Sequence, residues 1–235
     1  MDYPQKDKYT LEDLLEVTRI LRSENGCPWD REQDHHSIRR EFLEEAYEAV
    51  EAIDTEDTEL LKEELGDVLF QVVFHAQIEA EKGVFDFSDV ASDVAKKMIV
   101  RHPFVFGDAT ASNAEEALQR WDQVKMTLKE QKTQAEVLRS VTPAMPALMR
   151  AEKVLKKAEK AGAPGCEEDD LQKAKTAFAA FAANESNAED QLGELLLAVT
   201  DLARRRGLHA EDALAAATKR YIDDFEKAAY PAKEQ

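Results

Sequence analysis

Between Thr58 and Lys82 the chain reads TELLKEELGDVLFQVVFHAQIEAEK, and this run limits the possible folds more than any other. Leu60, Leu61, Leu65, Val68, Leu69, Val72, Val73 and Ala76 recur at three- and four-residue spacing, the period of a helix with one apolar stripe. The run is too long for a strand and predicts a helix of about seven turns. The same period appears on both sides of it. Thr10 with Asp13 can cap a helix carrying Leu11, Leu14, Leu15, Val17, Ile20 and Leu21, which should stop near Asn25-Gly26 and Pro28. A second helix is expected from about Ser37 past Val50, with Ile38, Phe42, Leu43, Ala46, Tyr47, Val50 and Ile53 turned inward. The sequence DTED then makes a turn. A fourth helix should start near Ser88 and end before His102-Pro103, because the residue before proline avoids helical angles. Another covers about 114 to 131. With 8 Gly and 7 Pro in 235 residues there is little punctuation for a many-stranded sheet, and the expected fold is all-α.

The second half echoes the first. Leu65-Gly66-Asp67-Val68-Leu69 returns as Leu192-Gly193-Glu194-Leu195-Leu196. In both places a helix leads to a glycine, Gly83 or Gly207, and then to a helix with paired basic residues, Lys96-Lys97 or Lys219-Arg220. GCPWDREQD has a faint counterpart in GAPGCEEDD. These echoes predict a tandem repeat: a helical domain over 1–131, a linker over 132–145 where two prolines interrupt the apolar period, and a second helical repeat over 146–235.

Acids crowd the stretch EFLEEAYEAVEAIDTEDTELLKEELGDVLFQVV. Positions three and four apart share a helix face, so Glu44, Glu45 and Glu48 form one cluster and Glu64 with Asp67 another. Two such helices packed antiparallel can aim these carboxylates into one pocket, as helix bundles do when they build metal sites. Hard divalent cations such as Mg²⁺ suit oxygen ligands, and a cation would relieve the mutual repulsion of the acids. The alternative is an ordinary solvated face in an acidic protein. Gly66 beside the cluster favours the first reading, since a glycine inside a helix costs about 1 kcal/mol and usually has a packing or access reason.

The net charge of −18 argues against a nucleic-acid polymer as partner, because phosphate backbones are held by clustered Lys and Arg. Two cysteines, Cys27 and Cys166, are too few for a disulfide scaffold and lack zinc spacing. No basic leader followed by an apolar run opens the chain, and no window approaches a membrane span. A cytoplasmic protein is expected.

GCPWDREQD, EFLEEAYEAVEAI, EELGDVLFQVVFHAQ, FDFSDV and RHPFVFGD, in that order, resemble the MazG nucleoside triphosphate pyrophosphohydrolases over nearly the whole chain. The resemblance implies an all-α homodimer that uses Mg²⁺, with Mn²⁺ able to substitute, to convert a nucleoside triphosphate to its monophosphate and pyrophosphate. The family motif falls on Glu44, Glu45, Glu48, Glu64 and Asp67 as metal ligands, with Glu45 the expected general base. Lys97 and Arg101 match its basic positions, and Trp121 with Lys125 match a Trp-x-x-x-Lys pair; these are the expected substrate-binding residues. Trp29 either lines a base pocket or anchors its loop. His75 and His102 are expected to pack or hydrogen-bond, and Phe85, Phe87, Phe104 and Phe106 to be core. Asp34, where a threonine is usual, and Phe104, where a second histidine is frequent, depart from the pattern.

In the second repeat Gln191 and Glu194 stand where the first has Glu64 and Asp67, and the preceding helix offers no Glu-Glu-x-x-Glu. That half is expected to be catalytically silent, serving dimerisation or support. The rival to an enzyme is a degenerate module that binds nucleotide or a protein with little turnover.

Overall fold

The structure, a computed structural model, describes residues 3–128, 133–162, 170–183 and 187–229. Their regular structure is helical, with no strand among the described residues, and the fold is all-α. Two compact units divide it, Met1–Lys125 and Met126–Gln235.

The first unit begins with α1 (Leu11–Leu21), α2 (Pro28–Glu32), α3 (Arg39–Asp54) and α4 (Thr58–Glu81). It continues with α5 (Phe87–Arg101), α6 (Pro103–Phe106) and α7 (Ala114–Leu128). The starts follow local chemistry. Thr10 and Asp13 form the expected capping box on α1, Asp57 caps α4 by accepting from the Glu59 and Leu60 amides, and Asp86 and Asp89 form a second box on α5. The three-residue turn Thr55–Asp57 folds α3 back on α4 as an antiparallel hairpin, and this is the main packing of the unit.

Helix α3 has no side-chain cap. Tertiary contacts fix its start instead: Ile38 is buried with Phe74 and Ile78 of α4 in the core cluster. Beside them His35 stacks on His75, the two Nδ1 atoms 2.7 Å apart, while His35 Nε2 donates to Glu79 Oε1 at 2.5 Å. Lys82 also reaches Glu79, and the Phe42 ring meets His75 edge-on. Burial, then His35, pushes His75 below its ordinary value of 6.5, so the folded chain favours the neutral ring. That contribution to stability is complete above pH 6.5 and is lost as the pH falls toward the depressed value. Glu79, held below its ordinary 4.5 by Lys82 and then His35, adds a second loss in stronger acid. Thermal melts of metal-free protein should therefore show a fall in midpoint as the pH drops below 6.5. In His75→Asn, which keeps a hydrogen-bonding group near Nδ1, that part of the fall should vanish.

Gly26 turns the chain tightly behind α1. A Cβ there would run into the carbonyls of Ile20 and Leu21, since the Cys27 amide already donates to the Leu21 carbonyl at 2.7 Å. Gly26→Ala should cost about 2 kcal/mol in urea denaturation.

The inward faces differ from expectation on α3. Ala49 and Ala52 are the buried residues of its packed face, whereas Leu43, Tyr47, Val50 and Ile53 are exposed. Small side chains let the two helices approach closely, and the larger apolar ones are left on the outer face. Leu65 and Leu69 on α4 are exposed as well. Phe85 and Phe106 are also exposed rather than core, while Phe87 and Phe104 are half-buried. Nor does Gly66 have a packing reason within the chain: a Cβ there would meet nothing within 4 Å.

The second unit contains α8 (Gln134–Arg139), α9 (Ala147–Lys160), α10 (Asp170–Ala183), α11 (Ala188–Arg205) and α12 (Ala210–Ala229). Helix α8, boxed by Thr133 and Glu136, falls within the stretch expected to be a linker and packs on α9. The helix–glycine–helix echo is present in three dimensions. Gly83 and Gly207 have φ of 70° and 72°, the left-handed conformation that ends α4 and α11, and the amide of the following residue returns to Glu79 or Ala203. Most of GAPGCEEDD, with Cys166, lies outside the described residues.

Candidate metal centre

The hairpin of α3 and α4 sets its acids in facing rows. Glu48 stands opposite Glu64, and carboxylate oxygens of Glu45, Glu48 and Glu64 all lie within 4.8 Å of one another. Glu64 is buried to 8% exposure, Glu45 is half-buried and Glu48 is open to solvent. The arrangement is a pocket with a closed back and an open front.

Its electrostatics are one-signed. Burial raises the Glu45 pKa above the ordinary range, followed by the charges of Asp67 and Glu48. Burial likewise raises Glu64, followed by Glu48, Asp67 and Glu63. The charged neighbours that act most strongly on these two groups are themselves carboxylates. Asp67 thus belongs to the same field although it stands just outside the tight group. Glu44 is exposed on α3 and outside that group.

This donor set fits a hard divalent cation: oxygen ligands only, from two rigid helices, with an open side for water or substrate. The raised pKa values mean that the metal-free fold favours the protonated acids. Their contribution to stability is present below pH 4.5 and is lost as the pH rises through the raised values. Glu45→Gln should therefore melt higher than wild type at pH 7 without metal. The gain should disappear at pH 4.5 and reverse when Mg²⁺ is saturating.

A second cluster joins α5, α6 and α7. The Arg101 guanidinium lies over the Trp121 ring, 5.2 Å from its centre, and the Arg101 Nε is buried without a partner. Beside them a cavity of about 310 Å³ is lined by His102, Phe104, Ala117, Leu118 and Trp121. His102 donates through Nδ1–H to the Met98 carbonyl, 2.6 Å away. Lys97 is exposed on α5, and the side chain of Lys125 lies outside the described residues. Trp29, on α2, is 59% exposed. Its ring does not anchor the loop.

Arg22, which the sequence reading passed over, does the anchoring. Its side chain is 6% exposed, lies over the Phe74 ring and grips Glu81 through Nε and Nη2 at 2.8 and 2.9 Å. Nη1 donates to the carbonyls of Asp30 and Gln33. A signal existed, an arginine capping the C-terminus of an apolar helix, but its partners, a distant carboxylate and two backbone carbonyls, are ones no residue pattern reveals.

In the second unit the equivalent positions Gln191 and Glu194 form no such group among the described residues. Arg204, Arg205, Asp201, Glu159 and Asp170 instead make a network of ion pairs.

Comparison with known proteins bears on this geometry. Residues 33–106, which hold all five motif acids Glu44, Glu45, Glu48, Glu64 and Asp67, match the MazG nucleotide pyrophosphohydrolase domain. The chain is 39% identical over 221 residues to a protein of Escherichia coli K12 named nucleoside triphosphate pyrophosphohydrolase, covering 90% of this chain and 84% of that one. A Thermotoga maritima protein, named nucleoside triphosphate pyrophosphohydrolase/pyrophosphatase MazG, is 35% identical over 92% of this chain and 84% of its own. A Mycobacterium tuberculosis protein named nucleoside triphosphate pyrophosphohydrolase is 40% identical over 63% of this chain and 45% of its own.

Proposed function

Because the chain belongs to the MazG family of nucleotide pyrophosphohydrolases, we propose that it hydrolyses nucleoside triphosphates, ribo- or deoxyribo-, to monophosphate and pyrophosphate in the cytoplasm. The observation that carries this reading is the convergence of Glu45, Glu48, Glu64 and Asp67 on one unneutralised pocket. A bound Mg²⁺, or Mn²⁺ in its place, would lower the pKa of water and neutralise charge building on the phosphoryl oxygens. Glu45 suits the general base by position: it stands half-buried at the pocket wall, its carboxylate within 4.8 Å of those of Glu48 and Glu64. It takes the proton of a water whose oxygen attacks the α-phosphorus. The bond from that phosphorus to the bridging oxygen breaks, and pyrophosphate leaves. Lys97 and Arg101 supply positive charge for the triphosphate, Lys125 is a third candidate, and Trp121 with its cavity offers an aromatic wall for a base. Trp29, with its exposed ring, is free to meet substrate.

The test is pyrophosphate release from a panel of ribo- and deoxynucleoside triphosphates with Mg²⁺. No release from any of them, with the protein folded and Mg²⁺ present, would refute the assignment.

The same reading includes a homodimer. Leu43, Tyr47, Val50 and Ile53 on α3, with Leu65 and Leu69 on α4, make an exposed apolar face beside the acids. A monomer rarely leaves such a face in water. A second copy covering it would also close the pocket from the side, and Tyr47→Lys should turn the dimer to monomer by light scattering. The second unit, lacking the acids, supports assembly rather than chemistry.

A further inference from the structure

Two buried oxygen atoms on the hairpin that carries the pocket have no hydrogen-bond partner: Oε2 of Glu41 on α3 and Oε1 of Gln71 on α4. Both are acceptors, and Gln71 is only 9% exposed. A helix interior seldom leaves such atoms unsatisfied, so each calls for a donor or a cation.

Their place in the hairpin says which. Along α3 the residues turned to α4 follow Ile38, Glu41, Glu45 and Glu48, spaced three, four and three. Along α4 they follow Glu64, Asp67, Gln71 and Phe74 with the same spacing. In an antiparallel pair these form rungs. Two observations bracket the register: the carboxylates of Glu48 and Glu64 come within 4.8 Å of each other, and Ile38 is buried with Phe74 and Ile78 in the core. Between them the register sets Glu45 against Asp67 and Glu41 against Gln71. The Glu41–Gln71 rung therefore lies between the acid pocket and its apolar floor.

We propose that Glu41 and Gln71 are two further oxygen donors of the cation site, completing it at its closed end. The proposal rests on the reading of the four acids as a metal centre. A carboxylate and a side-chain carbonyl are standard ligands for hard divalent cations. A positive ion drawn in by four acids would satisfy both orphan oxygens at once. Neither a solvated acidic face nor an apolar core needs oxygens at this rung.

The experiment uses the full chain and Mn²⁺ alone. Gln71→Met keeps the side-chain length and removes the carbonyl, Gln71→Glu keeps an oxygen, and Glu41→Gln removes the charge. By calorimetry and the spin-resonance signal of free Mn²⁺, Gln71→Met should bind about tenfold more weakly than wild type or lose one ion per chain. Glu41→Gln should weaken binding in the same direction, and Gln71→Glu should retain it. Metal-free Gln71→Met should melt no lower than wild type, since an unsatisfied buried acceptor is gone, while its gain in midpoint on adding Mn²⁺ shrinks. Equal isotherms for wild type, Gln71→Met and Glu41→Gln would overturn the assignment and leave Glu45, Glu48, Glu64 and Asp67 standing. A wild-type chain that takes up no Mn²⁺ would overturn both. Binding without pyrophosphate release would remove the proposed activity and leave the ligand assignment in place.

Discussion

Exchanging Glu48 for Gln is expected to abolish pyrophosphate release, with a loss of about a thousandfold or more, roughly 4 kcal/mol in the barrier. Glu48 is the exposed member of the tight carboxylate group, so its removal barely disturbs packing. The loss should come from weaker cation binding rather than unfolding. Asp67→Asn should act in the same direction, because Asp67 contributes to the field on both Glu45 and Glu64. Steady-state assays at rising Mg²⁺ separate the causes: a binding defect recovers in part with more metal, a loss of fold does not. Circular dichroism of both variants should match wild type. Gln191→Ala and Glu194→Ala, at the corresponding positions of the second unit, should leave activity unchanged. Loss of activity in either of those would move the active site to the other repeat.

Arg22→Ala is expected to cause the largest loss of stability in the first unit, about 3 kcal/mol by chemical denaturation. Three elements lose their tie at once. The Glu81 carboxylate loses both of its short bonds, the carbonyls of Asp30 and Gln33 lose their donor, and the Phe74 ring loses the guanidinium covering it. Arg22→Lys should recover only part of the loss, since one ammonium cannot serve a carboxylate and two carbonyls in the planar pattern of a guanidinium. Trp29 provides a direct readout, because it lies on the segment that Arg22 pins. In a Trp121→Phe background its fluorescence should shift when Arg22 is replaced.

Much of the fold was readable before any coordinates, because its signals are local. Thr10 and Asp13 carry their own capping box, the breaks at Gly26 and Pro103 end helices by sterics, and the apolar period of α4 follows from one helix alone. The short helices α2 and α6 were missed because four or five residues cannot show a period. The inward face of α3 was misjudged for a different reason. Its large apolar residues and its alanines lie on different faces, and nothing within the helix says which face meets its neighbour. Tight packing chose the alanines.

The candidate site divides in the same way. Spacing alone put Glu45 and Glu48 on one helix face, and Glu64 and Asp67 on another, because three- and four-residue steps are fixed by the helix itself. Only the tertiary structure could set Glu64 deep and Glu48 outermost, leave Glu44 aside, and bury oxygens of Glu41 and Gln71 beside the pocket. Those facts depend on the register of two helices, which is set by the turn at Thr55–Asp57 and by Ile38 seated among Phe74 and Ile78. Residue types and their spacing determined an all-α chain with a carboxylate-rich pair of helices. How far each carboxylate is from water, and so how strongly it holds a proton or a cation, was decided by packing between segments that one helix does not encode.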